Sequence, residues 1–370
     1  MAWPTVIIKI LNLMNGPIAD IECHFLFVIR GTVSGEVRNL IMVDSTSDLD
    51  DVLAEASAEG LAIVKAAQLN GKQAWTAGVM ILSEEDNWQD AVKKANEVSS
   101  FEFVVLGFDA ETKAMIEDAI TLRTELKNSL GREVGVLCQL PAINNDPANG
   151  KTWAEWLAAT VAIPKDVASE YISVVPNVHA AGDTLGKYAG RLANKEVSIA
   201  DSPARVQTGS VLGNTELMKD KAGKALDLAT LKALESNRIA VPMWYPDYPG
   251  QYWTTGRTLD VPGGDYQDIR HIRVAMKAAR KVRIRAIARI ADRTLNSTPQ
   301  SIAAAKLYFT QDLRTMALTG VPGEIYPPED EDIQIKWVNS TDVEIYMSVQ
   351  PYECPVKITI AISIKPGDYS

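Results

Sequence analysis

The sequence predicts a mixed α/β fold: an α/β layer, then a helical core, with a strand arm at each end. Three observations carry this. Between residues 21 and 176 short apolar runs such as FEFVVLGFD (101–109) and EVGVLCQL (133–140) alternate with amphipathic stretches of helical period, the pattern of a mainly parallel sheet covered by helices. After residue 265 come two long helix-period segments. The last apolar run, VKITIAISI (356–364), alternates strictly, with Val356, Ile358, Ile360, Ile362 and Ile364 on one face, as a strand does.

The elements follow in order. Residues 5–13 read as a strand with Val6, Ile8 and Ile10 on one face, then HFLFVIR (24–30) and NLIMV (39–43) as strands. Residues 48–68 form a helix, 78–82 a strand, 87–98 a helix and 101–109 a buried strand. A long helix over 111–131 closes on Gly131, the residue that tolerates a left-handed cap. Strands at 133–140 and 171–176 flank a helix holding Trp153 and Trp156. Residues 177–235 are irregular until a helix near 226–235, and 242–265, crowded with Pro, Gly and aromatics, is a structured loop. Asp265 N-caps a basic helix, with Asp268 in its first turn, running to about Arg293. Thr298 and Pro299 start a second helix that ends near Gly320. The acidic turn PPEDED (327–332) precedes a hairpin with its turn at Ser340–Asp342. The division expected is an N-terminal arm (1–20), an α/β domain (21–200), a core carrying the basic helix (201–350) and a C-terminal arm (351–370).

Bulk properties narrow the function. A chain of 370 residues can bury a large core. No apolar run approaches the ~20 residues of a membrane span, and the N-terminus lacks the basic region of a signal peptide. Cys23, Cys138 and Cys354 are scattered and unpatterned, which argues for a reducing compartment and against a disulfide framework or a zinc site. Net charge is -10, yet residues 270–293 carry seven Arg and two Lys against Asp292 alone, about +8, which leaves the remainder near -18. A chain so acidic is repelled by nucleic acid at long range.

Within the basic segment Arg273, Lys277, Lys281, Arg285, Arg289 and Arg293 fall at every fourth position, one continuous ridge on a helix. Like charges four apart repel by roughly 0.2–0.5 kcal/mol per pair, so a helix carrying five such pairs calls for an anionic partner. The ridge drifts by about 40° per step at 3.6 residues per turn, so one flat partner cannot meet all six.

Catalytic signals are thin. Cys23 and His24 are neighbours in an apparent strand and point to opposite faces. GDTLGKYAG (182–190) lacks the Walker spacing and the hydroxyl after Lys187. The strand end at Gly107–Asp109 has no dinucleotide fingerprint. Asp50–Asp51 and Glu329–Asp332 read as a helix start and a solvated turn. Arg205, with Asp201 and Ser202, suits an ion pair and a subunit contact equally well. No cofactor or metal is expected.

Read as a unit, residues 251–317 resemble the core of contractile tail sheath proteins of phages, R-type pyocins and type VI-like injection machines. The resemblance lies in the turn of Trp253, Gly256, Arg257, Thr258 and Leu259, the Asp265–Tyr266 turn, the basic helix from Ile269, the Asn296–Pro299 break, and the second helix with Phe309 and Leu313. It covers roughly a fifth of the chain, about one supersecondary unit. It implies a structural subunit, not an enzyme, that polymerises helically in hexameric rings around an inner tail tube and contracts to drive the tube through the host envelope. It also implies baseplate and tail terminator partners, a place in the virion tail and assembly in the host cytoplasm, without direct nucleic-acid contact or membrane insertion. The tube-facing role would fall on Arg273, Lys277, Lys281, Arg285 and Arg289. Strand exchange between subunits would fall on the arms, through Val6, Ile8, Ile10, Ile358, Ile360 and Ile362. From the residues alone, completion of the chain's own sheet is the favoured reading of the terminal strands, and the helix 269–293 could enter a nucleic-acid groove.

Overall fold

The computed structural model describes residues 21–33 and 38–363. Its organising element is a six-stranded sheet in the order β2-β3-β1-β4-β5-β6, built from β1 (His24–Arg30), β2 (Ile41–Asp44), β3 (Thr76–Leu82), β4 (Phe103–Asp109), β5 (Gly135–Leu140) and β6 (Ile172–Pro176). All neighbours run parallel except the edge pair β2–β3. The helices between them are α1 (Leu49–Val52), α2 (Ala58–Gly71), α3 (Trp88–Val98), α4 (Lys113–Leu130) and α5 (Trp153–Ala162), followed by α6 (Thr184–Leu192) and α7 (Leu228–Ser236). The pleat sorts each strand between two cores. Leu26 and Val28 join Val92, Ile116, Trp156 and Leu234 under α3, α4, α5 and α7. Phe25, Phe27 and Ile29 face the other way, onto Ile63 of α2 and Leu185 and Tyr188 of α6. Each fully buried side chain of this size stabilises the fold by about 1.5–3 kcal/mol.

After a hairpin of β7 (Pro242–Tyr245) and β8 (Tyr248–Trp253), the chain forms α8 (Ile269–Ile287) and α9 (Pro299–Ala317), then the hairpin β9 (Ile333–Trp337) and β10 (Val343–Met347). Ile269, Ile272 and Met276 put the first half of α8 into the second core, beside Trp253 and Tyr188, whose rings stack at 4.8 Å. A third cluster, with Val274, Ala278, Leu313, Met316 and Ile325, joins α8 to α9. Residues 201–260 contact both the sheet unit and α8: Ser173 Oγ donates to the Arg257 carbonyl at 2.7 Å, His179 meets Gln251 at 2.6 Å, and the Ile269 N–H donates to the Gly256 carbonyl at 2.9 Å.

Several expectations are corrected. The helix expected over 48–68 is two helices, because Ala56 bridges to Gly31 and Ser57 starts α2 afresh by accepting from the Gly60 N–H. The loop expected over 242–265 contains β7 and β8, and α6 lies within a stretch expected to be irregular. Asp268, rather than Asp265, caps α8, accepting from Arg270 N at 3.1 Å. That helix ends at Ile287 and not near Arg293. Asp292 draws the backbone into a local turn by accepting from Thr294 N and Oγ1 and from Arg289, and Ala291 turns to φ +60°. Residues 351–363 form no strand among the described residues. The N-terminal strand expected over 5–13, with Val6, Ile8 and Ile10, lies outside the described residues.

Candidate functional site

Two surfaces matter: the basic helix α8 and the C-terminal arm. On α8 the ridge winds around the axis as its periodicity requires, and each residue meets a different neighbour. Arg273 is 4% exposed and Glu102, at the start of β4, is 0% exposed. They form a bidentate pair, Nε to Oε1 at 2.7 Å and Nη2 to Oε2 at 2.8 Å. Glu102 also accepts from the backbone N–H of Cys23 at 2.6 Å. Burial works against the Arg273 charge, but Glu102 beside it outweighs burial and holds its pKa above the usual value. Burial, outweighing the nearby guanidinium, pushes the Cys23 thiol up.

The next positions follow suit. Lys277 Nζ donates to Glu324 Oε1 at 2.7 Å, and burial still raises the Glu324 pKa despite that lysine. Arg285 forks onto Asp312 of α9 while covering the Tyr308 ring. Arg289 binds Asp292 at 2.6 Å and lies 4.2 Å above the same ring. Arg280, off the ridge, donates to Glu22 Oε1 at 2.8 Å and to the Glu133 carbonyl at 3.0 Å. Expecting Arg273 on a partner-facing surface is therefore corrected: in this chain its guanidinium is enclosed and neutralised. Lys277, Arg285 and Arg289 likewise have carboxylates of their own. Lys281, on the ridge, and Arg283 and Arg293, beside and beyond it, bond to no carboxylate among the described residues. Ile284, Ile287 and Ile290 lie exposed between them, Ile290 by 75%. The uncommitted charge thus sits at the C-terminal tip of α8, interleaved with an apolar stripe.

The arm is the second surface. Arg270 Nη1 donates to the Tyr352 carbonyl at 2.7 Å, fixing where the arm leaves the core. Beyond it Val356, Ile358, Ile360 and Ile362 are 69–90% exposed, and residues 351–363 pair with no strand among the described residues. An alternating segment with its apolar face bare is an unpaired strand edge.

The other candidate sites resolve into packing. His24 Nδ1 meets Thr76 Oγ1 at 3.1 Å and its ring stacks on Phe101, with no bond to Cys23. The GDTLGKYAG segment is the start and body of α6. Lys187 is buried on Asp183 at 2.5 Å, and Gly186 and Gly190 let α6 approach α2 so closely that an added Cβ would lie 2.0 Å from the Ile63 carbonyl oxygen or 2.4 Å from that of Ala67. Asp109 accepts from Gln139 Nε2 at 3.0 Å, and burial, with Glu59 nearby, raises its pKa. Arg205 and Asp201 are a loose ion pair at 3.9 Å. Among the described residues no cluster of His, Cys, Asp and Glu could hold a metal, and no helix is long and apolar enough to cross a membrane. Sequence reasoning missed Glu102, Glu324 and Asp312 as partners. Only Glu102 carried a signal, an acid between two phenylalanines in a buried strand.

With the geometry in place, the relatives agree with it. The family models described as "DUF2586, N-terminal domain" and "DUF2586, C-terminal domain" match residues 3–257 and 265–366. A protein of Haemophilus phage HP1 (strain HP1c1), named "Putative tail sheath protein", is 42% identical over 373 residues, 97% of each chain. The fold is shared with a sheath tail protein of Listeria innocua (TM-score 0.60, 10% identity, 90% of this chain and 92% of that one) and one of Desulfitobacterium hafniense (0.55, 13%, 93% and 96%). It is also shared with a chain of the contracted anti-feeding prophage baseplate (0.55, 13%, 100% of both). Since the identity to the phage HP1 protein holds over nearly the whole length and the DUF2586 match runs through both halves, the chain belongs to the tail sheath protein family.

Proposed function

We propose that this chain is the repeating subunit of a phage tail sheath, a structural protein and not an enzyme. Copies polymerise helically, in rings of six, around an inner tail tube. Shortening of the sheath then drives the tube through the host envelope. The observation that carries this is the bare arm: Val356, Ile358, Ile360 and Ile362 alternate on one face and have no strand among the described residues to cover them. A strand added to a neighbour's sheet gains a net ~0.5–1.5 kcal/mol per backbone hydrogen bond besides its buried apolar face. The N-terminal arm, through Val6, Ile8 and Ile10, is assigned the same exchange.

Arg293, the last residue of the ridge, lies beyond the end of α8 and is the part of the basic segment we assign to the acidic exterior of the tube. Arg273, Lys277, Arg285 and Arg289 hold the helix in place. Baseplate and tail terminator proteins complete the partners, in a virion tail assembled in the host cytoplasm, and no cofactor is required. The nucleic-acid reading loses its main support, because most of the ridge is neutralised by the chain's own carboxylates and groove binding needs free cations on one face.

Electron microscopy of the purified chain tests the proposal. Helical tubes or stacked rings at high concentration are expected. Protein that stays monomeric with and without a tail tube overturns it.

A further inference from the structure

Between the second half of α8 and the sheet unit lies a cavity of about 100 Å³, walled by Arg132, Arg280, Lys281, Arg283, Glu22 and Glu133 together with a few apolar side chains. Its charge does not balance. Glu133 is occupied by Arg123 and Lys127 from outside the cavity, and Glu22 by Arg280. Arg132 donates to Ser100 and to the Asn96 carbonyl, and Arg283 lies against Gly131, the left-handed cap of α4. Neither meets a carboxylate among the described residues. Burial, and Arg283 close by, lower the pKa of Arg132. A second observation points the same way. Arg280 is 9% exposed, and its Nε has no hydrogen-bond partner among the described residues; nor has the buried Nε of Arg132. Unmet donors on buried guanidiniums are costly, and a carboxylate is the group that fits a guanidinium fork.

We infer that this cavity is a carboxylate-binding site, filled on assembly by the acidic turn 327–332 of a second copy of this chain. The inference rests on the sheath reading above. Glu329, Asp330 and Glu331 are exposed and have no basic side chain paired to their carboxylates among the described residues. Over residues 329–353 seven carboxylates face Lys336 alone. The turn does not line the cavity of its own chain. Residues 1–20 fit it poorly, since Asp20 is their only acid. A cavity on one surface and a turn on another make a head-to-tail contact, which propagates as an open helix where a two-fold contact would close.

The test is a charge swap in the full-length chain, polymerised without tube protein and followed by light scattering and electron microscopy. Lys281→Glu/Arg283→Glu should lower polymer formation about tenfold or more per charge pair lost, and so should Asp330→Lys/Glu331→Lys, each with an unchanged melting temperature. The two reversals combined in one chain should recover most of the loss. Wild-type-like polymerisation by either reversal, or no recovery in the combination, overturns the inference alone. A reversal that polymerises normally by itself but fails around the tube assigns the cavity to the tube protein and also overturns it. Wild-type chain that never polymerises overturns the sheath reading, and this inference falls with it.

Discussion

Arg273 separates a structural reading of the basic helix from a partner-binding one. Replacing it with alanine leaves the Glu102 carboxylate, wholly buried, with one remaining donor, the Cys23 N–H. Breaking a buried pair from one side costs about 3–5 kcal/mol. In a domain of this size each kcal/mol lowers the melting temperature by about 2–4 °C, so Arg273→Ala should melt roughly 6–20 °C below wild type. Glu102→Gln should fall in the same direction. The double replacement Arg273→Met/Glu102→Leu should recover most of the loss, because a buried pair and an apolar pair of similar volume are often close in stability. Lys281→Ala, on the same ridge, should stay within about 0.5 kcal/mol. Calorimetry and urea titration of the four variants complete a double-mutant cycle. If Arg273→Ala melts with wild type, or the double variant loses the sum of the single losses, the pair does not lock α8 to the sheet.

The remaining predictions address other links. Reversing Arg293 to Glu should impair assembly on the tail tube at little cost to melting temperature; normal sheathing of the tube would remove the end of the basic segment from that interface. Deleting residues 353–370 should abolish polymerisation yet leave a folded subunit by circular dichroism, and polymers from the truncated chain would refute the arm exchange. Gly186→Ala should destabilise by about 1–3 kcal/mol in denaturant, since its Cβ meets the Ile63 carbonyl. Burial, aided by Lys187, lowers the His179 pKa from 6.5 to about 4. As pH falls through that window the unfolded chain takes a proton that folded His179 refuses, so stability drops by about 3 kcal/mol by pH 4. His24, also lowered to about 4 mainly by burial, adds a similar slope, so His179→Gln should roughly halve the loss.

The parallel sheet was legible because β1, β3, β4, β5 and β6 are buried on both faces, and such strands are written as unbroken apolar runs. Helix α6 was not, because its glycines look like loop residues until α2 lies against them. The end of α8 was misplaced because Arg289 and Arg293 continue the four-residue spacing of basic residues past Ile287, into the turn that Asp292 holds. The ridge itself was plain. What lay beyond reach was its neutralisation, since Arg273 and Glu102 are 171 residues apart and pairing at that distance is set by topology, not by local spacing.

That neutralisation changes what the basic helix can do. A ridge of free cations would weaken α8 by self-repulsion and bind any polyanion. Here Glu102 ties it to the sheet, Glu324 to the loop before β9, and Asp312 to α9. Each carboxylate removes one repulsion and fixes one neighbour, so the sheet unit, α8 and α9 are joined by apolar packing and ion pairs together. The bare arm beyond Tyr352 has neither. An assembly of such subunits has a natural division: bodies that move as units, and strands that connect them. In the sheath proposed above, shortening would require the bodies to shift against each other while the strand pairing persists, a rigid-body rearrangement. The charges left over, at the tip of α8 and around the cavity beside it, lie where contacts must form and break, at the surface. A contact to them joins separate bodies and can be exchanged as those bodies shift, whereas the Arg273–Glu102 pair is enclosed within one body.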